Sequence, residues 1–125
     1  MASSLRIALA LFALVVGSCA TTRHSAARQL VGQWRATTQS RTAQYDFAAD
    51  GTFTGSVTSG GRIIADFSGR WSVTNGAILY IYTDDKKGAI APGTKDRDEL
   101  LRVADDHFII RTADGSERRY LRVTP

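Results

Sequence analysis

The stretch Tyr45-Asp-Phe-Ala-Ala-Asp-Gly-Thr-Phe53 determines the fold, because it has the pattern of two β-strands joined by a tight turn. Tyr45 and Phe47 share one face of the first strand, and Asp50-Gly51 supplies the turn, where glycine accepts a positive φ at little cost. From 52 to 59, apolar or small residues alternate with hydroxyl residues, which is the period of a half-buried strand. The stretch therefore predicts an antiparallel hairpin with one buried face.

The same pattern recurs along the rest of the chain. Gly60-Gly61 and Asn75-Gly76 have the composition of two-residue hairpin turns. Between them, the odd-numbered residues from Ile63 to Val73 form one apolar face, and Gly69 marks a bend or bulge in that strand. Residues 77–82 are apolar on both faces, which indicates a strand that is central or covered on its outer side.

The later part of the chain predicts one long loop and three more short strands. Residues 84–94 contain charged pairs, glycine and proline and form the loop, and the strands follow at 100–103, 108–112 and 119–123. About eight short strands with hairpin turns and no crossover helix predict an all-β fold. Sequential hairpins favour an antiparallel up-and-down β-barrel, because closure removes exposed strand edges.

Composition excludes several classes of function. The 125 residues are enough for one domain, and the net charge of +4 comes from basic residues scattered among acidic ones, so no nucleic-acid partner is predicted. We find no phosphate-binding loop, nucleophile elbow or zinc-protease motif, and therefore predict neither an enzyme nor a cofactor.

Asp105-Asp106-His107 is the one cluster with metal-ligand chemistry, and we interpret it as a turn followed by an outward histidine, because adjacent strand residues face opposite ways.

The N-terminus has the pattern of a targeting segment. Arg6 precedes the apolar run 7–16, which is too short to span a bilayer and is typical of a signal peptide. Val16-Gly17-Ser18-Cys19 resembles a bacterial lipobox, and this resemblance implies cleavage before Cys19 and lipid on its thiol. The alternative is ordinary cleavage after Ala20.

The lipobox interpretation divides the chain into three parts. Residues 1–18 form the signal peptide, 19–27 a lipidated tether, and 28–125 the barrel domain. Ala20, rather than aspartate, follows the cysteine, and by resemblance to Gram-negative lipoproteins this implies the periplasmic face of the outer membrane. Cys19 is the single cysteine, so the barrel contains no intrachain disulfide.

Several short motifs, taken in order, resemble those of bacterial lipocalin-like lipoproteins. Gly32-Gln33-Trp34 has the G-x-W spacing of lipocalins, and 47–53, 69–71 and 75–79 follow in the expected order. The resemblance implies a compact eight-stranded barrel. It also implies that Trp34 packs at a closed end, sealed by an arginine from the last strand.

Arg119 and Arg122 are the candidates for that seal. We favour Arg122, because Arg119 shares a face with Leu121 and Val123 and would crowd the interior. The alternative is that both arginines are solvated surface residues.

Two functions from different classes are consistent with this barrel. The first is a membrane-tethered module that binds a small apolar or amphipathic ligand, and the second is a solid-cored interaction or inhibitor module that contacts an envelope protein through its loops. The candidate cavity-lining residues are Phe47, Phe53, Phe67, Trp71 and Tyr80. Such residues more often form a packed core than a pocket, since side chains can fill an eight-stranded interior. An open interior favours the first function and a filled interior the second.

Overall fold

Eight antiparallel strands close into a barrel in the computed structural model, which describes residues 26–124. The strands are β1 (Gly32–Thr37), β2 (Arg41–Phe47), β3 (Thr52–Ser59), β4 (Arg62–Thr74), β5 (Ala77–Asp85), β6 (Lys95–Val103), β7 (His107–Arg111) and β8 (Glu117–Arg122). Each strand pairs with its neighbours in sequence, and β8 returns to β1. The predicted all-β, up-and-down barrel is confirmed.

The β2–β3 hairpin forms around the turn that the sequence indicates. Phe47 pairs with Phe53 in the antiparallel register, and both rings are almost fully buried. Asp50 Oδ1 accepts hydrogen bonds from the backbone nitrogen and the hydroxyl of Thr52 at 2.9 and 2.6 Å. Gly51 has a φ of 89°, in the left-handed region that favours glycine.

A bulge in β4 corrects one part of the predicted inner face. Val57 pairs with Ala65 and Thr58 pairs with Ile63, so Ile64 is an extra residue on β4. Beyond the bulge the odd-numbered residues face inward as predicted, but Ile63 turns outward and is 51% exposed. The prediction that Ile63 belongs to the inner face was therefore wrong, because alternation is interrupted at the inserted residue.

Gly69 allows β4 and β5 to approach closely where their register shifts. The shift lies between Ser68 and Gly69, at the residue expected to mark a bend. A Cβ on Gly69 would lie 2.1 Å from the carbonyl oxygen of Ile81 and 2.9 Å from the Phe53 ring. The site therefore excludes any side chain.

The region from β5 to β6 differs from the predicted loop. β5 continues to Asp85, so the loop covers only residues 86–94, and β6 begins at Lys95, before the strand predicted at 100–103. The outer face of β5 is not covered, since Ile81 is 41% exposed. Residues 95–99 are all polar, so they lack the apolar alternation that signals a strand.

The antiparallel order places the turns at two opposite ends of the barrel. One end carries the turns at 48–51, 75–76 and 104–106 together with a helical turn at 26–30, and we call it the closed end. The other carries the connections at 38–40, 60–61, 86–94 and 112–116, and we call it the mouth. Within residues 26–124, no helix has the length and apolar character required to cross a membrane.

Candidate functional site

Arg122 binds three backbone carbonyls at the closed end. Its Nη1 donates to the carbonyl of Val31 at 3.1 Å, and its Nη2 donates to the carbonyl of Gln29 at 2.7 Å. Its Nε donates to the carbonyl of Asp105 at 2.5 Å. One side chain on the last strand therefore holds both the helical turn and the β6–β7 turn.

The guanidinium of Arg122 also covers Trp34. Its central carbon lies 4.1 Å from the indole centroid, within range of a cation–π interaction. Trp34 is fully buried, and its Nε1 donates to the carbonyl of Leu30 at 2.8 Å. Gly32 makes room for this arrangement, because a Cβ there would lie 2.5 Å from Arg122 Nη1. This contact explains why the G-x-W spacing begins with glycine.

Arg119 does not reach the closed end. Tyr120 faces inward and is 3% exposed, so Arg119 and Leu121 on either side of it face outward. Arg119 is exposed, and Leu121 is 54% exposed. The expectation that Arg119 would crowd the interior was wrong, because it depended on Leu121 being an inward residue.

The five candidate cavity-lining residues all lie inside the barrel, where their rings contact one another. The ring centroids of Phe47 and Trp71 are 4.9 Å apart, and those of Phe53 and Tyr80 are 5.6 Å apart. Phe67 lies 6.1 Å from Phe53. None of the five is more than 9% exposed. The aromatic rings therefore occupy the space between the strands and form a core rather than the lining of an open cavity.

The four tyrosines of the chain form one cluster in this core, and two of them, Tyr45 and Tyr120, line a pocket at the mouth. The Tyr45 ring is 5.9 Å from that of Tyr80 and 5.8 Å from that of Tyr120. Tyr82 lies beside Tyr80 at 6.3 Å. Phe67 belongs to the same cluster, because it pairs with Asp85 at the mouth end of β5 and its ring lies 5.3 Å from that of Tyr82.

A polar pocket of about 350 Å³ opens at the mouth. Two of its carboxylates come from β6, where Asp96 pairs with Tyr80 and Asp98 pairs with Ile78. Because Tyr80 and Ile78 face inward, Asp96 and Asp98 face inward too, and the intervening Arg97 faces outward. The lining consists of Tyr45, Asp96, Asp98, Thr112, Ala113, Asp114, Arg118 and Tyr120.

Burial changes the acidity of these groups. It raises the pKa of the Asp98 carboxyl to about 6, and the charge of Asp96 adds to the effect. Burial likewise holds the pKa of Tyr45 and of Tyr80 well above the usual phenol value. Burial raises the pKa of Tyr82 to about 12. At neutral pH the phenols are therefore protonated, and Asp98 is largely ionised.

Tyr80 and Asp98 interact with each other. Tyr80 is 3% exposed, and no fully buried side-chain oxygen or nitrogen in residues 26–124 lacks a hydrogen-bond partner. A hydrogen bond with the Tyr80 hydroxyl lowers the pKa of the partly buried Asp98 carboxyl, against the larger opposite effect of its burial.

The third carboxylate of the mouth is already used by its own turn. Asp114 Oδ1 accepts hydrogen bonds from the nitrogen and hydroxyl of Ser116 at 2.9 and 2.7 Å, and another from the hydroxyl of Thr112. These bonds lower the pKa of Asp114 to about 2. Asp96 accepts one bond, from the backbone nitrogen of Arg97 at 2.8 Å. The accessible acceptors of the mouth are therefore Asp96 and Asp98.

An apolar groove of about 680 Å³ adjoins the mouth. Its floor includes Leu79 and Ile81 on the outer face of β5, and Lys95 and Arg97 border it. The groove and the mouth pocket share two lining residues, Asp96 and Ala113. One molecule can therefore contact both sites.

The remaining candidates are distant from the mouth or outside the described part of the chain. Asp106 Oδ1 lies 2.7 Å from Nδ1 of His107, and the two residues partner each other. Residues 26–124 contain no group of three histidine, cysteine or acidic side chains arranged to hold a metal ion. Cys19, the signal peptide and most of the tether lie outside the described residues. Ala26 and Ala27, assigned to the tether, are in the helical turn.

Sequence reasoning missed the mouth. Asp96, Asp98 and Arg118 were not among the candidates, and Tyr45 was used only to define a strand. The available signal was the alternation of Lys95, Arg97 and Glu99 with the two aspartates. That alternation has the period of a strand but carries charge on both faces.

Comparison with known proteins supports the fold. Neither the scan against family models nor the search of curated proteins finds a match. Among solved structures, a lipocalin-like protein from Bacteroides uniformis matches with a TM-score of 0.58 at 15% identity, covering 76% of this chain and 99% of the other.

Two solution structures are similar in the same way. A protein from Bacteroides thetaiotaomicron has a TM-score of 0.57 at 14% identity, covering 78% of this chain and 92% of its own. A second Bacteroides uniformis protein has a TM-score of 0.55 at 20% identity, with 79% and 93% covered. At these identities the likeness concerns the fold, which is that of a lipocalin-like barrel.

Proposed function

We propose that this protein is a lipid-anchored envelope protein whose barrel binds a small amphipathic molecule at its mouth. The observation that carries this proposal is the junction of the polar mouth pocket with the apolar groove at Asp96 and Ala113. A polar group would lie in the mouth, and an apolar group would cover Leu79 and Ile81. The role is binding rather than catalysis.

The filled interior limits what kind of ligand fits. Lipocalin-like carriers with an open barrel hold a ligand inside the barrel, whereas here aromatic rings occupy the interior. A long apolar chain would have to displace rings such as Phe53 and Phe67, which are 1% and 3% exposed. The ligand we propose therefore binds at the rim and in the groove.

Native mass spectrometry of the protein extracted from its own envelope tests this proposal. We expect a retained small molecule in the wild-type protein and its loss in Ile81→Asp, which places a charge in the groove. Ile63→Asp is the matched control, because Ile63 is also exposed but does not line the groove. Absence of a retained molecule from wild type, or equal retention in the two variants, would contradict binding in the groove.

The location rests on the lipobox pattern around Cys19. We propose that acyl chains on this cysteine hold the barrel at the periplasmic face of the outer membrane. In membrane fractionation of the host, Cys19→Ser should be uncleaved or mislocalised. Recovery of wild type and variant alike as soluble, cleaved protein would instead support ordinary cleavage after Ala20.

The packed aromatic core also favours a second candidate function. A barrel with a solid interior can act as an interaction or inhibitor module that contacts an envelope protein through its mouth-end loops, such as 86–94. Crosslinking from Lys87 in intact cells, with Lys95 as a comparison site beside the groove, would test this. A single protein adduct formed from Lys87 would support the second function over the first.

A further inference from the structure

We propose that the ligand of the groove is an organic anion, whose apolar part covers Leu79 and Ile81 and whose negative group binds between Lys95 and Arg97. This inference deepens the proposed function and rests on it, because it names the charge of the molecule that the groove takes. The carboxylates of the mouth repel an anion, so any part of the ligand that enters the mouth carries no negative charge.

The outer faces of β4, β5 and β6 place two apolar side chains between positive ones. Ile81 pairs with Arg70 on one side and with Lys95 on the other. Leu79 pairs with Arg97 in the next row. Because paired residues share a face of the sheet, the three basic side chains face outward beside the apolar pair, and all five residues line the groove. The groove therefore has an apolar centre and basic residues along its border.

The positive charges of β6 are not neutralised by the chain. Neither Lys95 nor Arg97 forms an ion pair within 4 Å in the part of the chain that the structure describes. Asp96 lies between them but faces the mouth, and Glu99, the carboxylate on their own face, pairs with Arg111 at 3.3 Å. Two like charges thus lie about 7 Å apart along one strand face, and an anion between them would remove their repulsion.

The apolar centre indicates that the anion carries an apolar group. Ile81 is 41% exposed, and covering it together with Leu79 removes apolar surface from water. The groove volume of about 680 Å³ is in the range of small-molecule sites. From β4 to β6 the groove crosses two strand spacings, about 10 Å, which suits an alkyl chain of about eight carbons.

The two ends of the groove differ in how free their positive charge is. Hydrogen bonds from Thr52 lower the pKa of Asp50, and the charge of Arg70 adds to this effect, so a carboxylate already lies near Arg70. Lys95 and Arg97 lie together on β6, at the end of the groove that joins the mouth. The negative group of the ligand therefore lies at the mouth end, and its apolar part extends toward β4.

A matched series of probes separates charge from shape. Octanoate, octanol and octylamine share one alkyl chain and carry a negative, neutral and positive end at neutral pH. Each is titrated into the full-length Cys19→Ser protein, which has no acyl chains to compete, and binding is followed through the amide resonances of residues 79–81 and 95–97. We expect octanoate to bind about 5-fold more tightly than octanol, a modest ratio because Lys95 and Arg97 are exposed, and octylamine to bind least.

Variants then assign the preference to the proposed side chains. Replacing both Lys95 and Arg97 by glutamine should leave octanoate and octanol with equal affinity, because the charge is removed and the apolar centre is kept. Arg97→Glu should reverse the order, so that octylamine binds more tightly than octanoate. Arg102→Gln is the matched control, since Arg102 is an exposed basic residue of the same strand that does not line the groove, and it should keep the preference. Loss of the preference in Arg70→Gln alone would overturn the assignment to Lys95 and Arg97.

The outcomes distinguish this inference from the function on which it rests. If octanol or octylamine binds as tightly as octanoate, or if Arg102→Gln removes the preference as fully as the double substitution, anion recognition is refuted while binding in the groove stands. If octanoate shifts no resonance but vesicles of anionic phospholipid sediment the protein through Lys95 and Arg97, this face docks on a membrane and the inference is refuted. If no probe perturbs the groove, and the protein extracted from its envelope retains no small molecule, the inference and the proposed function are both refuted.

Discussion

Removal of the Arg122 side chain is the sharpest test of how the closed end is held. Arg122→Met keeps a side chain of similar length but removes three hydrogen bonds to the carbonyls of Gln29, Val31 and Asp105. A hydrogen bond to a charged group contributes about 1.5–3 kcal/mol, and these bonds are partly open to solvent, so we expect a loss of about 3 kcal/mol in the free energy of unfolding. The cation–π contact with Trp34 contributes about 1 kcal/mol of that loss.

A double-mutant cycle isolates the contact between the two side chains. Trp34→Leu alone should cost about 2–3 kcal/mol, because the indole is fully buried and large-to-small core changes leave a cavity. With Arg122→Met added, the combined loss should fall short of the sum by about 1 kcal/mol. Urea denaturation followed by circular dichroism measures each corner of the cycle.

Arg119→Met is the matched control for this cycle. Arg119 lies on the same strand but faces outward, so we expect a change below about 0.5 kcal/mol and no coupling to Trp34. A coupling below about 0.3 kcal/mol between Trp34 and Arg122 would refute the seal. Gly32→Ala gives a further check, because its Cβ would lie 2.5 Å from Arg122 Nη1. Its cost should be smaller in the Arg122→Met background.

Three further predictions concern the barrel wall and the mouth. Phe67→Ala should lower the free energy of unfolding by about 3–5 kcal/mol, because Phe67 is buried, whereas Ser72→Ala and Ile63→Ala should lower it by less than about 1 kcal/mol. If urea denaturation gives the same loss of stability for all three variants, the bulge and the strand register are wrong. Gly69→Ala should cost about 3 kcal/mol, since its Cβ would lie 2.1 Å from a backbone oxygen, and an unchanged melting temperature would contradict this. Asp98 has a pKa of about 6 in the fold, above its unfolded value of about 3.9, so its contribution to stability is present below pH 4 and is lost as the pH rises through 6. The full difference between these pKa values corresponds to about 2.9 kcal/mol, which partial exposure reduces. Asp98→Asn should therefore stabilise the protein by about 1 kcal/mol at pH 8 and leave its stability unchanged at pH 4. If the difference in the free energy of unfolding between wild type and Asp98→Asn does not grow from pH 4 to pH 8, the raised pKa of Asp98 is refuted.

Local chemistry made most of the barrel predictable. The turn at Asp50-Gly51 depends on a side-chain oxygen and a positive φ within a few residues of one another, and both are visible in the sequence. Alternation then assigns the inner face of each strand, because side chains in a strand repeat every two residues. The two arginine candidates came from the resemblance to lipocalins, and alternation was used only to choose between them.

The errors arose where one strand depends on its partner. Ile63 faces outward because β4 carries one more residue than β3 at the bulge, and this count is settled by pairing rather than by either strand alone. Arg119 was assigned to the inner face on the strength of Leu121, an apolar residue that is in fact exposed. Single exposed apolar residues are common on protein surfaces, so they are weak markers of an inner face.

The mouth was not predictable, for a reason that bears on function. Apolar alternation detects a strand only where one face is buried in the core, and the first half of β6 has carboxylates at its inward positions. A sequence selected for stability alone would place apolar residues there, as at Ile78 and Tyr80 on the paired strand. Asp98 instead opposes folding at neutral pH, because its carboxylate is partly buried and lies near the charge of Asp96. Departures of this kind from an otherwise consistent pattern are expected at functional sites, where binding rather than folding explains the choice of residue. For this reason the segment that sequence analysis left without a strand is the one where we place the ligand.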